Sequence, residues 1–515
     1  MSTPDLNHPY RSWAWPLLVA PMAFVFVFAI IPTAVLANRI ESLDTIADVI
    51  ANRSIRQALW FSLWQSVLSA VVCVTVALPI TWVLSRFDFV GRRLVRSLTT
   101  VPFLLPTVVV GVALLAAFPD SLDYSPIAVI CAHAYFNIAV VVRIVGSRWE
   151  SISLSLVPAA QTLGASPLRA SITITFAILS RALLTATGLV ALFSFTSFGV
   201  VRMLGGPSLS TIETEIYSRA VLIGDLDGAI VLAILQVIFL VILGIVLQRG
   251  GSGAPRRTDR FEVMRRPLAS HPMRAFIGGI IAVTTIGIIA PWWATLARSR
   301  GGWGFIREGE FRDALGVSIR TAVICAVIAT VLGTCSALGA TYGGTYSRLV
   351  AGLTALPLTI SAVVIGFGFL ITFDDGALDF RSSWFITSLA HALIAMPLAT
   401  IVVSQGARAI PRDVSAAAMT LGAPRRQAWW TVDAPLLSKS VTSAAALSIA
   451  VSLGEFGASS FLSRRDSTTL PVLIAQELSR PGDLRTAHAY VVASLFIVVS
   501  VVVILGIEFG QGRSR

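Results

Sequence analysis

Charged residues are scarce in this 515-residue sequence. They make up 13% of the chain, whereas 55% of the residues are hydrophobic and the mean hydropathy is +0.81. A soluble domain carries roughly 25% charged residues, so this chain has too few to cover a surface that faces water. The composition therefore excludes an ordinary soluble protein and predicts a polytopic membrane protein.

Lysine is almost absent as well, because Lys439 is the only one. The net charge of +12 therefore comes from arginines, and these lie mostly between apolar runs. That placement is what the positive-inside bias of membrane proteins predicts. The basic charge thus reflects topology in a lipid bilayer, and we expect no nucleic-acid partner.

Cysteine is rare too, and the chain lacks two common kinds of site. The four cysteines lie inside apolar runs without metal-ligand spacing, which is typical of small core residues (Cys73, Cys131, Cys325 and Cys335). The Gly-x-x-x-x-Gly-Lys-Ser/Thr phosphate loop is also missing from the sequence. We therefore expect no metal, no cofactor, no catalytic residues and no ATP site of the usual kind.

Apolar runs long enough to cross a bilayer are plentiful. A spanning helix needs about 20 apolar residues, and the sequence predicts about twelve such helices in an all-α fold. Their approximate bounds are 15–37, 58–84, 98–118, 126–146, 178–201, 228–247, 275–297, 314–342, 349–373, 384–404, 438–458 and 487–508.

The alternation of charge along the chain predicts its orientation. Arginines cluster after the second span, around residues 143–181 and in the segment 248–274, whereas Asp44, Asp120, Asp225 and Asp374 fall in the alternate loops. The arginine-rich loops are expected to be cytoplasmic, which places both termini in the cytoplasm. The polar N-terminus without an Ala-x-Ala site predicts a retained first helix.

The two halves of the sequence are related. Residues 55–59 (IRQAL) correspond to 311–315 (FRDAL), and 132–134 (AHA) correspond to 390–392, with an offset between 255 and 258. Six helices per copy give both copies the same orientation, as in a parallel repeat. We predict a first domain over 1–247, a flexible cytoplasmic linker over 248–274 and a second domain over 275–515.

One short stretch occurs once in each half. Pro158–Gly164 (PAAQTLG) returns as Ala416–Gly422 (AAAMTLG). Each copy predicts a short alanine-rich helix that ends at its glycine, followed by a helix that begins near Pro167 or Pro424. Because small residues leave a ridge that another protein can approach closely, the matching copies predict a pair of docking sites.

This motif resembles the cytoplasmic loop motif in the permease subunits of ABC importers. In that family the loop inserts into a groove on an ATPase subunit, so the resemblance implies docking by six residues, which are Ala159, Ala160, Gly164, Ala417, Ala418 and Gly422. Coupling loops are expected near 150–176 and 405–436. The resemblance covers both halves, so the chain looks like a fused, two-domain permease of the type I importer fold.

The motif departs from the family pattern in both copies. Pro158 and Ala416 stand where the family has a leading Glu, which removes a possible salt bridge to the ATPase. The closing Leu-Pro of the family is Phe176-Ala177 in the first copy and Ala434-Pro435 in the second.

The resemblance also implies the partners and the location of the chain. A separate ATPase dimer is expected on the cytoplasmic face and a solute-binding protein on the outer face. The chain itself would be the transport subunit in the cell (inner) membrane, rather than an enzyme. Two alternatives are a secondary transporter, which needs intramembrane charge that the spans almost lack, and a membrane-embedded enzyme, which no His/Asp/Glu constellation supports.

The solute is predicted from subfamily resemblance. The fused permeases of thiamine and ferric iron importers are the most similar, and Phe195–Gly199 with Leu204–Pro207 and Thr211–Glu213 resembles thiamine permeases. Leu453–Ala458 (LGEFGA) resembles both these and the molybdate and sulfate permeases. Thiamine is the expected solute, with ferric iron or an inorganic or organic anion as alternatives.

Glu455 and Ser197, its counterpart in the first half, are the candidate residues for the substrate pathway. A carboxylate near the end of a span is costly unless it faces water or a partner, so Glu455 would line an outer gate or attract a cationic solute, or else pair with an arginine such as Arg464. Ser197 carries no charge. We expect His133 and His391 to have helix-packing or interfacial roles rather than to relay protons, since no carboxylate partner is evident in their own spans. The outer loops 211–227 and 468–484 either contact a binding protein or simply connect spans.

Overall fold

The computed structural model describes residues 9–40, 42–206, 209–250, 266–267, 271–374, 383–464 and 466–512. Helices dominate this part of the chain, which confirms the predicted all-α, polytopic class. Ten helices are long and apolar enough to cross a bilayer, at Arg11–Asn38, Arg53–Arg86, Pro126–Glu150, Pro167–Phe195, Leu226–Ile245, His271–Arg298, Gly309–Tyr342, Ile386–Ala409, Arg425–Gly454 and Asp483–Leu505.

The third predicted span, 98–118, is not one straight helix. The helices Arg92–Leu104 and Thr107–Ala117 are bent by 109° relative to each other. Leu105 between them is extended, with φ −72° and ψ 143°, because proline at position 106 disfavours helical geometry in the residue before it. Hydropathy alone could not place this break.

The ninth predicted span, 349–373, is broken in the same region of the repeat. It consists of Thr345–Leu353, a 3₁₀ turn at Leu356–Thr359 and the eleven-residue helix Ala362–Thr372. Ser361 begins the last helix, since its hydroxyl accepts a hydrogen bond from the Val364 N–H at 3.2 Å. The described residues therefore contain ten full spans and one bent pair, rather than twelve straight helices.

The remaining elements are short. Helices lie at Leu43–Ala51, Leu156–Thr162, Gly199–Leu204, Ile212–Tyr217, Arg412–Thr420, Gly457–Leu462 and Leu470–Ser479. Phe87–Asp88 pairs in parallel with Arg266–Pro267 as a two-residue strand pair. Most of the predicted linker 248–274 lies outside the described residues.

The chain divides into two compact units. One, here called the second-half unit, comprises Met1–Val49, Ile216–Leu240 and Arg307–Leu473. The other, the first-half unit, comprises Ile50–Glu215, Val241–Ile306 and Ile474–Arg515. Each unit therefore contains most of one half and terminal helices from the other. The bounds of the units differ from those of the predicted domains 1–247 and 275–515, which stay a prediction based on the sequence repeat.

Each unit has a core of small and branched side chains from three long helices. In the first-half unit these are Arg53–Arg86, Pro126–Glu150 and Ala177–Phe195, which contribute buried residues such as Cys73, Val141 and Val190. The second-half unit has a corresponding core in which Tyr10 and Ala14 from the N-terminal segment are also buried. Cys73 and Cys325 are buried, as predicted for core residues, whereas Cys131 and Cys335 are half-buried.

Candidate functional site

The two copies of the repeated motif form two short helices. The first loop helix is Leu156–Thr162 and the second loop helix is Arg412–Thr420. A one-turn helix follows each of them, at Pro167–Ala170 and Arg425–Ala428, and continues through a π-helical turn into the next span. Each copy thus has a short helix, a glycine after it and a second helix, in the order that the sequence predicts.

The stop is the same in both copies. Gly164 has a φ of +90° and Gly422 a φ of +91°, a left-handed conformation that favours glycine. In the first copy the Ala165 N–H donates to the Ala160 carbonyl at 3.0 Å, and the equivalent bond in the second copy is 3.1 Å. This is the Schellman arrangement, and it explains why the glycine lies at a fixed spacing from the second alanine.

Both loop helices present an apolar side chain at their ends. Leu163 and Leu421, directly before the stop glycines, are each 89% exposed. The first alanine of each pair, Ala159 or Ala417, is also exposed, whereas the second is half-buried. The two leucines were not among the predicted docking residues, although their matching positions in the two copies could have identified them. The matching exposure gives both loop helices the same apolar end.

Glu455 is buried, with 7% of its surface exposed. It lies between the helices Ala434–Gly454 and Gly457–Leu462, and its carboxylate accepts bonds from the N–H groups of Ala458 at 2.9 Å and Ser459 at 3.0 Å. The Ser459 hydroxyl donates to the same carboxylate at 3.2 Å. The carboxylate therefore holds the chain at the break between two helices.

His391 is the side-chain partner of Glu455. Its Nε2 atom lies 3.1 Å from the Glu455 carboxylate, and its Nδ1 atom lies 2.8 Å from the Ser452 hydroxyl. The predicted packing role did not include this carboxylate, because Glu455 lies 64 positions along the chain, outside the span of His391, and packing of neighbouring helices brings the two residues together. The partner that we considered for Glu455, Arg464, does not take that place.

The equivalent cluster in the first-half unit has a serine in place of the glutamate. His133 bonds the Ser69 hydroxyl through Nδ1 at 3.2 Å, whereas its Nε2 atom has no hydrogen-bond partner among the described residues. Ser197, in the position of Glu455, is buried, and its hydroxyl likewise has no such partner in the described part of the chain. The two halves thus share the histidine and differ in the charge beside it.

In the predicted outer loop 468–484, a buried glutamate forms salt bridges with two arginines. Glu477 is fully buried and accepts from Arg480 at 3.1 Å and Arg485 at 2.8 Å, and His488 lies 3.0 Å from it. A role of the loops 211–227 and 468–484 in contacting a binding protein stays a prediction. Within the described ranges, no group of three His, Cys, Asp or Glu side chains is placed to hold a metal ion.

Comparison with known families decides the class of the chain. Residues 329–509 match the family described as binding-protein-dependent transport system inner membrane component. This part of the chain resembles such a transport component. It contains the second loop helix and the pair of His391 with Glu455. The prediction of an importer permease is confirmed.

Curated relatives extend the permease similarity to the first half. The thiamine transport system permease protein of Brucella abortus (strain 2308) is 25% identical over 97% of this chain and 96% of its own length. That of Escherichia coli (strain K12) is 24% identical over 88% of this chain and 89% of its own length. The sulfate transport system permease protein of Salmonella typhimurium (strain LT2) is 28% identical over 36% of this chain and 72% of its own length.

Proposed function

We propose that this chain is the membrane permease of a thiamine importer that receives its solute from a binding protein. The observation that carries the thiamine assignment is similarity over nearly the full length, since 97% of this chain aligns with 96% of a thiamine transport permease. Similarity over both halves also supports one fused subunit that supplies both parts of the pathway, so that no second permease chain is needed.

We further propose that separate ATPase subunits dock on the two loop helices. The matching exposure of Leu163 and Leu421 supports two equivalent contacts, one for each subunit of an ATPase dimer. The shared stop at Gly164 and Gly422 holds each leucine at the same place relative to its helix. Closure of the ATPase dimer on ATP would then move both loop helices, and through them the spans that follow.

Both termini and both loop helices lie in the cytoplasm in this proposal. The placement of arginine between apolar runs supports that orientation. The solute then enters from the opposite face, where the acidic loops would meet the binding protein.

We do not assign Glu455 to solute contact in this proposal. Its carboxylate is already bonded by Ala458, Ser459 and His391. It stabilises the break that shapes the end of the span, and a direct role in the pathway would require those bonds to open.

An anion importer is the second candidate, because the sulfate transport permease of Salmonella typhimurium aligns with part of the chain. Uptake of labelled thiamine, sulfate and ferric iron by cells that carry the permease with its ATPase and binding protein separates the candidates. We expect saturable uptake of thiamine that excess unlabelled thiamine blocks and sulfate does not. Uptake of sulfate or iron without thiamine uptake would contradict the assignment.

A further inference from the structure

The N-terminal segment is packed inside the second-half unit. Tyr10, which directly precedes the first span, is only 1% exposed. Its ring stacks on Trp13 at 5.1 Å and lies 5.2 Å from the ring of Tyr342, and Trp429 donates to the Tyr342 hydroxyl at 2.9 Å. An aromatic cluster therefore fixes Tyr10 and Trp13 beside the residues that follow the second loop helix.

A buried carboxylate connects this segment to the second loop helix. The Tyr10 hydroxyl donates to Asp433 at 2.7 Å, and the Ser415 hydroxyl lies 2.8 and 2.9 Å from the two Asp433 oxygens. Ser415 belongs to the second loop helix, whereas Asp433 ends the π-helical turn Trp429–Asp433. Three elements thus meet at one side chain. Ser415 and Asp433 are 4% and 7% exposed.

The donor role of Tyr10 is well defined. Burial, and then the hydrogen bond to Asp433, raises the pKa of Tyr10 well above its ordinary value. The phenol therefore keeps its proton at neutral pH and donates to the carboxylate.

Close packing does not enclose this carboxylate on all sides. A cavity of about 270 Å³ lies next to it, lined among others by Tyr10, Thr341, Arg408, Pro411 and Asp433. Because open space lies beside the Asp433 carboxylate, hydrogen bonds hold the second loop helix at this point more than the packing of surrounding side chains does. Loss of those bonds would leave it room to move.

The first loop helix lacks this arrangement. Its residue in the place of Ser415 is Val157, and the residue in the place of Asp433 is Thr175. Valine cannot form a hydrogen bond with its side chain, and threonine offers no carboxylate. The repeat therefore reproduces the helix and its glycine stop, but not the carboxylate connection.

We propose that Asp433, with Tyr10 and Ser415, is a positioning device that ties the second loop helix to the first membrane span. This inference rests on the proposed docking of ATPase subunits at the loop helices. Movement of the second loop helix is passed to the N-terminal span Arg11–Asn38 through hydrogen bonds, whereas the first loop helix has no such connection in the part of the chain that the structure describes. The second docking site therefore transmits movement to the N-terminal span, and the first docking site does not.

The test measures solute transported per ATP hydrolysed by the whole complex in proteoliposomes. Ser415→Ala and Tyr10→Phe each remove one hydroxyl. We expect either variant to lower the ratio by roughly fivefold, which is what one hydrogen bond of ordinary strength contributes to an equilibrium. ATPase binding should stay intact, and Ser415→Thr, which keeps the hydroxyl, should restore the ratio.

Two variants serve as matched controls. Tyr135→Phe removes another buried phenol bond, to the Ile288 carbonyl at 3.0 Å in the first-half unit, and should lower thermal stability without changing the ratio. Thr175→Val alters the position equivalent to Asp433 and should change neither. The double variant Tyr10→Phe with Ser415→Ala should be less impaired than two independent losses predict, because both bonds end on one carboxylate.

The results that overturn the inference differ from those that overturn the proposed docking. If Ser415→Ala and Tyr10→Phe keep the wild-type ratio, or lose uptake and ATPase activity in equal proportion, Asp433 has only a structural role. If the unaltered permease binds no ATPase at all, the docking proposal itself is wrong. Should Tyr10→Phe fail to fold, the pair Ser415→Ala and Ser415→Thr still decides the question.

Discussion

At the scale of single residues, the buried pair of Glu455 and His391 distinguishes the two halves of the permease. Burial of a carboxylate is unfavourable unless its oxygens are bonded, and here two N–H groups, a hydroxyl and an imidazole surround it. The sequence identified Glu455 as unusual from its position alone. It did not reveal His391 as the partner, because the contact depends on how the helices around Ile386–Ala409 and Gly457–Leu462 pack.

Replacement of Glu455 tests this description. Glu455→Ala should destabilise the permease by about 1–3 kcal/mol, since the His391 ring and two N–H groups lose a buried partner. The expected readout is a lower midpoint of thermal unfolding in detergent. Ser197→Ala is the matched control, because its hydroxyl has no partner among the described residues, and it should change the midpoint little. Equal shifts for both variants would contradict the role of Glu455.

At the scale of elements, the loop helices were predictable and the broken spans were not. The stop at Gly164 follows from short-range rules, because an alanine-rich run that meets glycine and then proline ends a helix by local geometry. The break near Pro106 also has a local cause. A hydropathy profile averages over neighbouring residues, however, so it shows one continuous span there. Contacts such as that of Tyr10 with Asp433 join residues 423 positions apart, and no local pattern encodes them.

The stop glycines give a prediction that separates backbone geometry from side-chain size. A side chain at Gly164 or Gly422 meets open space, so only the left-handed φ is strained. Gly422→Ala should cost about 1–2 kcal/mol in the native geometry and weaken ATPase binding, whereas Gly422→Asn should weaken it less because asparagine tolerates that conformation. Titration of purified permease with ATPase measures both. Equal affinities for the two variants would show that the stop does not position the contact.

The exposed leucines give a second prediction at this scale. Leu163→Asp and Leu421→Asp should each weaken ATPase binding by about tenfold or more, as loss of a central apolar contact does, while thermal stability stays unchanged because neither side chain is buried. Val90→Asp is the control, since Val90 is a fully exposed apolar residue outside the loop helices. If Val90→Asp weakens binding as much as the leucine variants do, the loop helices are not the specific contact.

At the scale of the whole molecule, the orientation in the membrane can be tested with single cysteines. In a variant without the four native cysteines, Gln161→Cys lies on the first loop helix and Ser121→Cys in an acidic loop, and both positions are exposed. We expect a membrane-impermeant maleimide to label Ser121→Cys in intact spheroplasts. Gln161→Cys should react only after permeabilisation. Labelling of both from the same side would contradict the charge-based orientation.

The fused architecture and the full-length similarity to thiamine transport permeases lead to one central claim, that this permease moves thiamine by the work of a separate ATPase on its loop helices. The most direct measurement is thiamine accumulation in proteoliposomes that contain the permease and its ATPase, with the binding protein on the opposite side. We predict accumulation only when ATP is supplied on the side of the loop helices, and its loss in the variant that carries both Leu163→Asp and Leu421→Asp. Accumulation without the ATPase, or undiminished accumulation in that variant, would contradict the account.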